Sequence, residues 1–319
     1  MGTPLIEGTV VENRGALFDV MVDGHVVRCL LRGKLKKGKQ RAATPVAAGD
    51  RVRIAPLEPG RGVIEEILPR ESGLSRTAAG SKPLQQTLVA NVDQAVIVFA
   101  AAEPRPDLFL LDRFLVQAMA GGLEPLVCIN KTDLVDGEPP RLEAGGQARL
   151  SAGGQVHARF AVYRQCGFRV LFTSAEKGDG VPELKEALRD RRSVLCGPSG
   201  VGKSSLLNAI APGLALRVGD MGDVTHKGRH TTSSITLLEL PFGGWVADTA
   251  GLRQMGFWEV SAEQVAAAFP DIAPLIGRCR FSNCSHGGED GCAIREVVQT
   301  GEADPRRVRS YLQITSGET

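Results

Sequence analysis

Gly197, Gly200 and Gly202 precede Lys203 and Ser204 in the run Gly197-Pro198-Ser199-Gly200-Val201-Gly202-Lys203-Ser204. Glycines at these positions let backbone amides wrap phosphate oxygens, a lysine reaches the outer phosphates, and a hydroxyl can enter the shell of Mg²⁺. An apolar stretch, Ser193 to Cys196, leads in, and Ser205 opens the helical pattern that continues to Ile210, which is the context a phosphate loop requires. Earlier in the chain stands Asn130-Lys131-Thr132-Asp133. Its carboxylate can accept from both the ring N–H and the exocyclic amine of guanine, and the lysine stem can lie along the purine ring. In ordinary guanine-nucleotide folds this tetrad follows the phosphate loop; here it comes first. Both can serve one ligand if the domain is circularly permuted, which is tolerable because termini usually lie at the surface and close together.

Asp248-Thr249-Ala250-Gly251 follows the strand pattern of Gly244 to Ala247, where a carboxylate can hold Mg²⁺ through water and a glycine amide can sense the terminal phosphate. Ser174-Ala175, after Phe168 to Phe172, suits a second contact to the base. The position after Gly251 is Leu252, which cannot orient water, so the hydrolytic group must come from Gly228-Arg229-His230-Thr231-Thr232. His230 is the first candidate and His226 the second. Thr231, ahead of Thr232, is the candidate second hydroxyl for Mg²⁺, beside Ser204 and Asp248.

A separate constellation is Cys279, Cys284, His286 and Cys292. Three thiolates and an imidazole make the ligand set of a closed, tetrahedral structural zinc site with no position open for water. The other cysteines, Cys29, Cys128, Cys166 and Cys196, are scattered; Cys128 and Cys196 lie in apolar runs, and an odd total of 7 argues against a disulfide framework.

These residues need three supporting units: a barrel domain over 1–72, the nucleotide domain over 73–258 and a zinc-binding helical domain over 259–319. From Glu7 to about Arg70, short runs rich in Val and Ile, broken by Gly, Asp and Pro, read as five short antiparallel strands of an OB-type barrel. Within it lie Arg32, Lys34, Lys36, Lys37, Lys39 and Arg41 with no acid between them, a candidate contact for RNA phosphates. From Leu84 to Trp258 strands alternate with helices, as in an α/β domain with a mostly parallel sheet. Strands are predicted at Gln94 to Phe99, Leu126 to Ile129 and Phe168 to Phe172, with helices at Leu108 to Ala120 and Val181 to Leu188. Each motif then sits at a strand's carboxyl end. Glu138 to Gly154, rich in Gly and Ala, reads as a helical insertion. Ser261 and Gln264 fit a helix-opening capping box, and Asp304-Pro305 opens a final helix carrying Arg306, Arg307 and Arg309.

The chain of 319 residues, 43% hydrophobic with a formal net charge of +2, reads as a multidomain cytoplasmic protein. The balance is too even for a whole-molecule field, so any basic surface is local. No apolar run is long enough to span a bilayer, and Met1 to Glu7 lacks a secretion signal. Nothing in the sequence asks for more than a monomer.

The barrel, Asn130 to Asp133 ahead of Gly197 to Ser204, Gly228 to Thr232 and the cysteine cluster together resemble the ribosome small-subunit-dependent GTPase A family (RsgA) over nearly the whole chain. The resemblance implies GTP hydrolysis late in assembly of the small ribosomal subunit, strongly stimulated by that subunit. It further implies that the flanking domains grip ribosomal RNA and that the histidine matching His230 takes part in hydrolysis. A GTP-dependent binding switch on another partner is the alternative, and subunit-specific stimulation separates the two. A zinc RNA-binding module with a relic nucleotide fold would conflict with intact Lys203, Ser204 and Asp248.

Overall fold

The computed structural model describes residues 4–36, 45–77, 85–135, 152–214, 235–248, 260–282, 284, 286 and 289–317. The candidates Lys37, Lys39, Arg41, His226, His230, Thr231, Thr232 and Gly251 lie outside the described residues. So does most of Glu138 to Gly154.

The chain opens with β1 (Ile6–Asn13), β2 (Leu17–Val22) and β3 (His25–Leu31), then a single helical turn α1 (Gly33–Lys36), then β4 (Arg51–Pro56) and β5 (Arg61–Ile67). Pairing runs β1-β2-β3-β5-β4, and β4 returns to β1, so the sheet closes into a barrel with no free edge. Four of the five pairings are antiparallel; β3 and β5 are parallel. That one departure from the all-antiparallel expectation follows from closure, because the excursion through α1 and β4 reverses the chain before β5 joins β3. The barrel is filled by alternate residues of its strands, among them Val10, Phe18, Val20, Cys29, Val52, Ile54 and Ile64. Gly8 is required where β1 crosses β2, since a Cβ there would lie 2.7 Å from side-chain carbons of Val20 and Val22.

A hairpin of β6 (Gly73–Thr77) and β7 (Gln85–Ala90) follows. The α/β sheet comes next: β8 (Gln94–Ala100), α2 (Leu108–Ala120), β9 (Glu124–Asn130), α3 (Ala152–Gln165), β10 (Arg169–Phe172), α4 (Val181–Leu188), β11 (Arg192–Cys196), α5 (Lys203–Ile210), β12 (Thr236–Glu239) and β13 (Trp245–Asp248). The order across the sheet is β10-β9-β8-β11-β13-β12, with only β12 antiparallel to its neighbour. Alternation assigns the faces. Ala95, Ile97, Phe99, Val127 and Ile129 pack with α2 and α3, while Val96, Val98, Leu126, Cys128 and Leu195 pack with α4 and α5.

The chain ends in α6 (Ala262–Ala267), α7 (Ala293–Thr300) and α8 (Pro305–Ser316). Ser261 and Gln264 form the reciprocal capping box, and Asp304 accepts from the amide of Arg306 at 2.7 Å. Val265, Phe269, Ile272 and Tyr311 join the core of the α2 face, so these helices rest on the α/β unit. Among the described residues no helix is long and apolar enough to cross a membrane.

Candidate nucleotide site and metal centre

The sheet order puts the carboxyl ends of β9 and β11 on either side of β8, and there the two motifs meet. Asn130, the last residue of β9, is buried. Its Nδ2 donates to the carbonyl of Val201 in the glycine-rich loop at 2.9 Å. Its Oδ1 accepts from Thr173 Oγ1 and from the amide of Ala175, both at 3.2 Å. One side chain therefore ties the tetrad, the loop and the Ser174-Ala175 segment together.

Asp133 sits in a single 3-10 turn, Thr132–Leu134, capped by Lys131 in left-handed conformation (φ 62°). Ser174 Oγ donates to Asp133 Oδ1 at 2.6 Å and accepts from the amide of Lys177 at 3.0 Å. Thr132 is fastened to the carbonyl of Thr173 through both its amide and its hydroxyl. The Asp133 carboxylate is thus oriented by neighbours that are themselves fixed. Lys131 Nζ donates to the carbonyl of Glu103 at 2.6 Å.

Across the cleft, Gly197, Gly200 and Gly202 all have positive φ, at 138°, 81° and 91°. A Cβ on Gly197 would lie 2.1 Å from the carbonyl oxygen of Val98. Gly202 stands at the start of α5 with no side-chain cap, which leaves the first amides of that helix available to an anion. Pro198, Ser199 and Val201 complete the loop, and Ser204 and Ser205 are exposed in the first turn of α5. Lys203 Nζ donates to the carbonyls of Gly197 (2.9 Å) and Pro198 (2.8 Å), which folds its charge over the hollow. Helix α5 begins at Lys203, two residues ahead of the expected Ser205. Cys196, directly before the loop, has its thiol pushed up to about 12 by burial, against the pull of Lys203, so it is an inert core residue. The backbone of Asp248 ends β13 opposite Leu195, alongside the strand that feeds the loop.

Two contributors carry no motif. Thr173, fully buried between Cys128 and Asn130, is foreshadowed only by its place ahead of Ser174. Glu103 contributes a backbone carbonyl, for which no side-chain pattern exists.

Cys279, Cys284, His286 and Cys292 bring their ligand atoms within 4.8 Å of one another. Nδ1 of His286 lies 3.4 Å from Cys279 Sγ and 3.5 Å from Cys292 Sγ, and the two sulfurs are 4.0 Å apart. Ligands roughly 2.3 Å from a tetrahedral ion would stand about 3.8 Å from each other, so the residues fit a four-coordinate metal. Burial pushes the Cys279 thiol up, but hydrogen bonds from the amides of Ala293 and Ile294 and from the neighbouring thiols carry it below its ordinary value. Cys292 also caps α7, so the cluster anchors that helix.

In the basic run, α1 gives Gly33 to Lys36 one helical turn, with Lys34 and Lys36 described by their backbone. Arg32 is paired with Glu65 on β5.

Residues 67–258 match the model of the RsgA GTPase, and residues 7–64 match that of the RsgA N-terminal domain. A small ribosomal subunit biogenesis GTPase RsgA from Gemmatimonas aurantiaca is 43% identical over 310 residues, covering 96% of this chain and 95% of the relative. One of the same description from Moorella thermoacetica is 43% identical over 307 residues, with the same coverage. The crystal structure of YjeQ from Thermotoga maritima superposes with a TM-score of 0.74 at 32% identity, covering 98% of this chain and 97% of that one. That of YloQ, a circularly permuted GTPase, gives 0.69 at 30% identity, covering 98% and 95%. With the base-reading tetrad bonded to a phosphate loop that follows it in sequence, and with these relatives along its length, the chain belongs to the RsgA GTPase family.

Proposed function

We propose that this chain hydrolyses GTP in the biogenesis of the small ribosomal subunit, the role its relatives' names give them. The observation that carries the reading is Asn130, whose side chain joins the base-reading segment to the carbonyl of Val201 in the phosphate loop. Asp133 reads the guanine ring, Asn130 braces it, Lys131 lies along the purine and the Ala175 amide meets the base carbonyl. Residues Gly197 to Gly202 wrap the phosphates, Lys203 exchanges its two loop carbonyls for β and γ oxygens, and Ser205 lies at the loop's exit. Ser204, Thr231 and Asp248 would hold Mg²⁺, whose positive charge would offset that of the phosphates, while Gly251 would sense the γ phosphate and His230 would orient the water.

Zn²⁺ at Cys279, Cys284, His286 and Cys292 is structural, since the donor set leaves no open position. The barrel, with its basic run from Arg32 to Arg41, and the C-terminal helical unit hold ribosomal RNA. The units divide at 72/73 and 258/259, and the protein acts as a monomer in the cytoplasm.

The test is turnover of GTP, with ATP as control, by the protein alone and with isolated small or large subunits. Strong stimulation by small subunits alone is expected. A rate unchanged by small subunits, or raised equally by large ones, overturns the ribosomal role, and equal turnover of ATP overturns the guanine site.

A further inference from the structure

Asp112, in the second turn of α2, is completely buried and touches no part of the nucleotide cleft. Its Oδ1 accepts from Arg307 Nη1 at 3.0 Å and from the Tyr163 hydroxyl at 2.9 Å, and its Oδ2 from Arg306 Nη1 at 3.1 Å. Arg307 is also completely buried. It turns the rest of its guanidinium to Asp271, through Nε and Nη2 at 2.9 Å each, and to the carbonyl of Ala268 at 3.0 Å. Both arginines lie over the Tyr163 ring, and Arg307 over that of Phe269. Burial pushes the Asp112 carboxyl up, against the pull of Arg307 and Arg306. Two of the groups that donate to it are guanidinium groups, at 3.0 and 3.1 Å.

A buried ion pair rarely gains stability over well-packed apolar side chains, and its best-attested use is to fix how elements sit together. Here the elements are α8 and α6 of the C-terminal unit on one side and α2 and α3 of the GTPase unit on the other. The amino end of α2 is built into the nucleotide site. Asp107 caps it by accepting from the amides of Phe109 and Leu110, and the Tyr163 hydroxyl that bonds Asp112 lies 3.3 Å from the Leu108 carbonyl. The segment leading into it, Ala101 to Asp107, borders the cleft at three points. The Ala101 amide donates to the Asn130 carbonyl at 2.7 Å, and the Glu103 carbonyl holds Lys131 Nζ. Cδ of Pro104 would stand 3.8 Å from a Cβ on Gly200.

We infer that Asp112 is a positioning residue for guanine nucleotide: clamped by Arg306 and Arg307 of the C-terminal unit, it sets α2, and the Ala101 to Asp107 segment sets Lys131. The inference rests on the base-reading role of Lys131 proposed above. Coupling of this kind is reciprocal, so whatever displaces the C-terminal unit loosens the nucleotide, and bound nucleotide steadies that unit.

The experiment is a double-mutant cycle on the full, zinc-loaded chain, read as the dissociation constant of a fluorescent GDP. Asp112→Asn and the milder Arg306→Gln are each made in the wild-type and Lys131→Ala backgrounds. In the wild type each weakens GDP roughly fivefold. In the Lys131→Ala background each changes it by less than about twofold, because the route is already cut. Equal weakening in both backgrounds overturns the inference and leaves the ion pair a scaffold only. No weakening in the wild type, with Lys131→Ala itself weakening GDP, overturns the inference alone. If Lys131→Ala leaves GDP affinity unchanged, the base-reading role falls and the inference with it. Should Asp112→Asn fail to fold, the Arg306→Gln arm decides.

Discussion

A methyl group on Gly202 would approach Nδ2 of Asn130 to 2.4 Å, at a backbone φ of 91°. Asn130 cannot step aside, because Val201, Thr173 and Ala175 already hold both ends of its amide. Gly202→Ala should therefore weaken GTP binding at least tenfold and cost on the order of 1–3 kcal/mol of stability, measurable by nucleotide titration and denaturant unfolding. Asp133→Asn presents an amide where guanine needs an acceptor, and should shift preference towards xanthine nucleotides. An unchanged GTP/XTP ratio would remove Asp133 from the base site. At this scale the sequence was most readable, since Gly, Lys, Asn and Asp at fixed spacing have few other uses. What it could not display were the backbone carbonyl of Glu103 and the pairing of Asp112 with Arg307, nearly two hundred residues apart in the chain.

Helices with a clear apolar stripe, α2, α4 and α8, lie where periodicity and Asp304-Pro305 place them. Asp304→Ala should lower stability by about 1 kcal/mol, read from the denaturation midpoint, because the Arg306 amide loses its acceptor. Elements without a stripe were harder to read. Helix α3 opens with Ala152-Gly153-Gly154 and mixes polar and apolar residues around its circumference. The β6–β7 hairpin has few apolar residues in β6 and a long connection, so neither the alternation nor a tight turn marks it. The parallel β3–β5 pairing is a property of closure, which no single strand encodes. At the metal centre, Cys284→Ala should release about one zinc per chain by elemental analysis, with loss of α7 protection in hydrogen exchange. Full metal content would refute the ligand set.

At the scale of the molecule, the barrel is attached in two dissimilar ways. On one side Arg70 grips the buried Asp50 through Nε and Nη2 at 2.6 and 2.8 Å and reaches Thr87 of β7 at 2.7 Å, while Ala48 and Gly49 bond to Ala90 and Asn91. On the other, among the described residues β1 meets β12 through one residue pair, Glu12 with Thr236, which makes barrel and α/β sheet a single run of 11 strands. Arg70→Gln should accordingly lower stability by about 3 kcal/mol or more by orphaning the Asp50 charge, as read by thermal unfolding of the barrel. The barrel is hung like a door, hinged firmly at Asp50 and latched lightly at Glu12. Parting the barrel from the α/β unit therefore meets unequal resistance, one described strand pair on the β12 side against the bonds of Arg70, Ala48 and Gly49 to Thr87, Asn91 and Ala90 on the other.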